Sequence, residues 1–327
     1  MKAPRRGRGD GARARAAEVA VTRRGTVLFV ALGVIWGLPY LLIKVAVADL
    51  TPASVVFLRT ALGAALLLPL VLARGDLRAL LPRWRPIVAF TVVELAIPWF
   101  LLTDAERRVS SSLAGLLIAS VPIVGALIAR LTGGAERLGP RRTAGLAVGL
   151  AGVGALVGLD VHAGDALAVG QLAIVVVGYA LGPVIVARHL SDLRALDVIA
   201  ASLALCALAY APAGLAQLPP ALPPASVLLA VAGLGVLCTA LAFVLFFKLI
   251  EEIGPVRSTV ITYVNPAVAV VAGVLVLGEP FTAATAAGFA LILAGSWLAT
   301  GPAARPAAGR TAAGRTAAAA GPVPDAG

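Results

Sequence analysis

Histidine, cysteine and methionine are nearly absent from this chain: two, two and one in 327 residues. His162 and His189 stand at the ends of apolar runs with no Cys/His cluster near them, so neither a metal centre nor an intramembrane hydrolase finds the residues it needs. The dipeptide Gly-Lys, the core of a phosphate-binding loop, occurs nowhere, which removes a nucleotide-driven pump. Cys206 and Cys238 each fall in the middle of an apolar run and read as small packing residues. No cofactor, metal or catalytic residue is expected.

Charge is scarce as well. Charged residues make up 13% of the chain and hydrophobic ones 60%, and the mean hydropathy is +0.98. A soluble domain carries roughly 25% charged residues. Helices this apolar on every face suit a lipid bilayer, not water. Ten runs are long enough to span one: 26–47, 53–72, 86–103, 109–131, 142–159, 166–187, 196–216, 226–249, 256–277 and 281–300. Ala, Gly, Leu and Val fill them without alternation, so they predict helices and not a barrel. Residues 1–24 form a basic tail, and residues 301–327 an Ala/Gly/Pro/Arg tail that cannot bury a core.

The net charge of +11 invites a nucleic-acid reading, but its placement argues against one. With the N-terminus inside, all but four of the 27 Lys and Arg fall on the inner side. Lys44, Arg107 and Arg108 lie outside, and Arg59 lies within the second span. That bias predicts two cytoplasmic termini and makes the basic head a topology anchor. The long first run and the nine after it speak against a cleaved leader.

The pattern is written twice. Pro39 and Pro183 differ by 144 positions, as do Pro122 and Pro266, and Lys44 and Arg188. "IASVPIVGALIA" and "ITYVNPAVAVVA" carry the second proline pair, and after one lost residue Glu136, Gly145 and Gly152 fall on Glu279, Gly288 and Gly295. The chain thus reads as two five-helix units, 25–159 and 160–300. Five is odd, so the second unit enters the membrane from the opposite side. Inverted repeats of this kind are characteristic of secondary transporters, whose substrate sits near the midplane between the halves.

"VIWGLPYLLIKVAV", "FLRTALGAALLLPL" and "LGEPFTAATAAGFALILAG" resemble the EamA-type drug/metabolite transporter superfamily over roughly residues 26–300. The resemblance implies an all-α fold of ten helices with both termini inside. It also implies proton-coupled or facilitative export of small metabolites or drugs, through a cavity lined by the first, third, fourth, sixth, eighth and ninth helices. The expected setting is the cytoplasmic membrane of a bacterium, with the protein acting as monomer or homodimer. A membrane sensor or scaffold is the competing reading, and the duplication and a midplane acid weigh against it.

That acid is Glu94, ninth in its eighteen-residue span. An ionisable group there costs roughly 2.5–3.5 kcal/mol unless paired, protonated or facing water, and is a functional candidate by default. Its counterpart, Cys238, is no acid, so the repeat does not require one. Glu94 is the expected proton-coupling and substrate-binding residue, against the alternative of a structural hydrogen bond. Arg59 lies about 9 Å inside its span. It can pair with Glu94, attract an anionic substrate or snorkel, and is read as gating or structural. Trp36, Tyr40 and Lys44 share one helix face: the first two are candidates for substrate contact, and Lys44 is read as gating or structural. Tyr179, Tyr263 and Asn265 are further lining candidates, Asn265 being poised also to bond backbone freed by Pro266. Pro39, Pro122, Pro183 and Pro266 are expected to bend or break helices at matched depths. Glu136 and Glu279 are expected to cap the helices that follow them. Trp84, Trp99, Tyr210 and Trp297 read as interfacial belt residues.

Overall fold

Thr22, Thr51 and Ser110 each precede an apolar run and each accepts a hydrogen bond from the backbone N–H three residues on, at 3.0, 3.3 and 3.1 Å. These caps satisfy N–H groups that a helix start leaves without intrahelical partners. Gly254 and Gly278 end helices with φ of 83° and 67°, values that favour glycine. A computed structural model of the chain describes residues 22–75, 77–131, 139–160, 165–254 and 258–300, and every regular element in them is helical.

In chain order these are α1 (Arg23–Ala46), α2 (Pro52–Leu72), α3 (Leu77–Ala105), α4 (Ser111–Ile118), α5 (Val121–Leu131) and α6 (Pro140–Asp160). There follow α7 (Ala166–Leu190), α8 (Ala195–Ala216), α9 (Ala225–Ile253), α10 (Asn265–Leu277) and α11 (Ala283–Thr300). Seven helical stretches are long and apolar enough to cross a membrane, and Thr143–Ala155, Ile261–Leu277 and Ala283–Leu298 are shorter apolar helices. The ten expected spans therefore appear as seven long helices and three short ones. The fourth span breaks between α4 and α5 just before Pro122, and the ninth opens on a 3₁₀ turn, Thr259–Tyr263, just before Pro266. Pro39 lies inside uninterrupted α-helix, whereas the α-helical winding of α7 gives way to a π segment, Val186–Leu190, three residues past Pro183.

Two segments depart from α-helical winding at matched places. α3 is π-helical over Thr91–Ala96 and α9 over Gly233–Leu241. Adding 144 to the first range puts it inside the second. The packing follows the same offset: α1 lies on α10 as α5 lies on α7, and α3 on α7 as α9 on α1. The glycines of the repeated motif meet one another. A side chain on Gly295 would strike the backbone of Gly149, and one on Gly152 would strike Ile292 N and Gly288 O, so α6 and α11 touch nearly backbone to backbone. Glu136, the first glutamate of that motif, lies outside the described residues.

Large apolar side chains stay exposed along the outer faces, Leu66, Ile97, Ile174, Leu208, Leu229 and Leu275 among them. Exposure on so many helices is expected where lipid, not water, covers the surface. The chain is an all-helical, multi-pass membrane protein.

Candidate functional site

Arg59 on α2 is 7% exposed, and its Nε donates to Thr239 Oγ1 at 3.0 Å. The guanidinium carbon lies 3.6 Å from the centroid of the Trp99 ring, a cation–π arrangement. Thr239 belongs to the π segment of α9 and donates its own hydroxyl to Leu234 O, five residues back, at 2.8 Å. Widened winding thus turns Thr239 toward Arg59. Neither the pairing with Glu94 nor the snorkelling expected for Arg59 is found. Trp99, read from sequence as a belt residue, is 6% exposed and lies beneath the arginine. Tyr40 on α1 and Tyr179 on α7 are both within electrostatic reach of Arg59, and Tyr179 is also within reach of Glu94.

Glu94 lies in the π segment of α3, against the glycine face of α7. Gly178 leaves room for Val93 O and Pro98, and at Gly182 a Cβ would collide with the Glu94 carboxylate. Its Oε2 is sealed and has no hydrogen-bond partner among the described residues. Tyr210 on α8 donates its hydroxyl to Ala96 O at 2.9 Å, so a carbonyl of the widened turn is bonded by a side chain that had also been read as a belt residue. Pro98, which lacks an N–H, was the one local sign in the sequence that the α-helical ladder fails here.

A second polar group lies on the expected outer side. Lys44 Nζ donates to Glu106 O and Val109 O at 2.5 and 2.8 Å. The Glu106 carboxyl is fully buried, and both oxygens lack a partner among the described residues. Burial pushes this carboxyl well above the usual range; Lys44 opposes the shift and Glu279 adds to it. Nothing in the sequence had marked Glu106. Glu279 satisfies a helix start as expected, but that of α4 and not of its own following helix. It accepts from Ser111 N at 2.7 Å, Ser112 N at 2.9 Å and Ser112 Oγ at 2.5 Å. Partial burial alone would raise this carboxyl, yet the serine hydrogen bonds outweigh it and hold the group below the ordinary range. α11 is capped instead by Thr282, which accepts from Thr285 N at 3.0 Å.

The remaining candidates scatter. Trp36 packs on Phe243 and Phe246 of α9, with ring centroids 5.9 and 4.8 Å away. With its amide turned so that the nitrogen faces these carbonyls, Asn265 donates to Ile261 O at 3.0 Å and Gly33 O at 3.2 Å, tying the 3₁₀ turn to α1. Tyr263 is half-buried on that turn, and Pro183 lies exposed on α7. The structure therefore brings Tyr40, Arg59, Glu94, Trp99, Tyr179 and Thr239 into one neighbourhood drawn from α1, α2, α3, α7 and α9. Among the described residues, no group of three or more His, Cys, Asp or Glu could hold a metal ion.

A sequence profile of the EamA-like transporter family matches the chain twice, over residues 23–158 and 166–301. The chain is 30% identical over 257 residues to the "Uncharacterized inner membrane transporter YedA" of Escherichia coli K12, an alignment covering 76% of this chain and 81% of that one. The same proteins of the O6:H1 and O157:H7 strains align with the same figures. In shape it matches a solved crystal structure at a TM-score of 0.61 with 24% identity, covering 84% of this chain and 96% of that one.

Proposed function

The chain belongs to the EamA-like transporter family, and from that premise we propose that it exports a small metabolite or drug across a bacterial inner membrane by proton-coupled alternating access. Its halves, 25–159 and 160–300, insert in opposite senses with both termini cytoplasmic. Substrate binds between them, beside Tyr40, Glu94 and Tyr179, and the protein works as a monomer or homodimer without nucleic acid. The inner-membrane setting rests on the likeness to YedA.

One observation carries the coupling. Glu94 presents a sealed carboxyl oxygen without a partner, on a π turn pressed against α7 of the other half. A carboxyl so placed must bind a proton or a substrate group to be satisfied, and satisfying it in one state and not the other biases the equilibrium between them. Matched π segments and matched packing give each half the same mechanical parts, which supports two states of similar energy. Helix breaks before Pro122 and Pro266 sit where a path between the halves needs pliable backbone. Counterflow in proteoliposomes, with a panel of radiolabelled amino acids and hydrophobic cations, tests the reading: a carrier exchanges at least one solute, whereas a sensor or scaffold exchanges none.

A further inference from the structure

Arg59 stands out among the groups that this reading leaves unused. A buried guanidinium ordinarily finds a carboxylate, because an uncompensated buried charge costs several kcal/mol. Here only Nε is bonded, to Thr239, and one face is covered by Trp99. Among the described residues, Nη1 and Nη2 donate to nothing and no carboxylate ion-pairs with the group, although neither nitrogen is among the sealed polar atoms. The fork is held from behind and has two donors left over, the geometry that takes a planar two-oxygen acceptor. It sits among side chains from both halves: Tyr40 on α1, Trp99 on α3, Tyr179 on α7 and Thr239 on α9.

We infer that Arg59 is the substrate's anion-binding residue and that the transported solute carries a single carboxylate. Charge counting selects the monoanion. Lys44 spends its donors on two backbone carbonyls, while the ionisable groups within electrostatic reach of Arg59, namely Glu106, the phenols of Tyr40 and Tyr179 and the thiols of Cys206 and Cys238, can only add negative charge, so a second charge on the solute would find no second cationic donor to receive it. The inference rests on the transport reading for the word substrate; the site itself does not.

The test uses the full chain in lipid nanodiscs with three probes built on one phenyl ring: planar benzoate, planar uncharged benzamide and tetrahedral phenylphosphonate, all at an alkaline pH where the phosphonate is dianionic. Thermal melting and tryptophan emission, to which Trp99 contributes, report binding. Benzoate is expected to bind roughly 10- to 100-fold more tightly than benzamide, the value of charge-assisted hydrogen bonds, and more tightly than phenylphosphonate. Arg59→Gln should erase the advantage and Arg59→Lys reduce it. Should Arg59→Gln fail to fold, the wild-type comparison still decides, and Thr239→Val, which frees Nε and loosens the fork, should weaken benzoate binding alone. Absent benzoate binding, equal binding of benzoate and benzamide, tighter phenylphosphonate, or an advantage that survives Arg59→Gln overturns the assignment. If benzoate binds through Arg59 but no solute undergoes counterflow, the site stands and the transport reading fails; counterflow of uncharged solutes without benzoate binding gives the reverse.

Discussion

Removing the Glu279 carboxylate should loosen the face that the proposed topology puts outside, without unfolding the protein. Three hydrogen bonds join this loop residue to the start of α4, 167 and 168 residues earlier in the chain. Each bond to a charged acceptor contributes about 1.5–3 kcal/mol when well shielded. Glu279 is only partly buried, and Ser110 already caps the same helix, so the sum falls toward the value of a single lost cap, about 2 kcal/mol. At about 1.4 kcal/mol per tenfold change, that is roughly a thirtyfold shift toward states in which the loop and α4 have parted. The assay is labelling of Leu113→Cys, a buried position on α4, by an impermeant maleimide in a background with Cys206→Ala and Cys238→Ala. Glu279→Ala should speed labelling by roughly that factor and Glu279→Gln by less, since an amide oxygen still accepts from Ser111 N. Combined with Ser112→Ala the effects should fall short of additive, because the two side chains share a bond. Unchanged labelling in Glu279→Ala, or strictly additive losses, would refute the bridge as a closure of the outer side.

Melting temperature against pH should show the Glu279 and Glu106 carboxyls, with opposite signs. The depressed Glu279 group contributes stability above the ordinary glutamate range that is lost as pH falls through its lowered value. The raised Glu106 group is satisfied at low pH and costs stability as pH climbs from the ordinary range to its own, so Glu106→Gln should flatten the neutral side of the profile and Glu279→Gln the acid side. Gly295→Ala should lower the melting temperature by the equivalent of about 1–3 kcal/mol, since its methyl meets the backbone of α6 and has no room to turn away, whereas Gly154→Ala, with open space around it, should have little effect. Accessibility tags near residues 160 and 220 should label from outside and tags at both termini from inside; the reverse, or termini on opposite sides, would break the inverted-repeat reading.

The apolar spans, the duplication and the proline breaks in the fourth and ninth spans were legible because each follows from composition or from a missing N–H. The interlocking of α6 and α11 was half legible. Glycines recurring at matched positions leave room for close packing but do not say that the two copies of the motif face each other. What stayed hidden depends on winding and on distant partners. A π turn adds one residue to a helical lap without any required residue type, so Thr239 and Glu94 could not be aimed from sequence. Trp99 looked like a belt residue because depth along a helix was known and rotation about it was not. Glu279 was assigned to the nearest helix start because a chain read in one dimension offers no candidate 168 positions away.

The central claim is that Glu94 carries a proton between the two faces of the transporter. Its most direct test is transport in proteoliposomes of a solute first identified by counterflow, driven by an imposed pH gradient, for wild type and Glu94→Gln side by side. Gradient-driven accumulation is expected in the wild type, and in Glu94→Gln preserved counterflow with no response to the gradient. A variant that still accumulates solute with an unchanged pH response would contradict it.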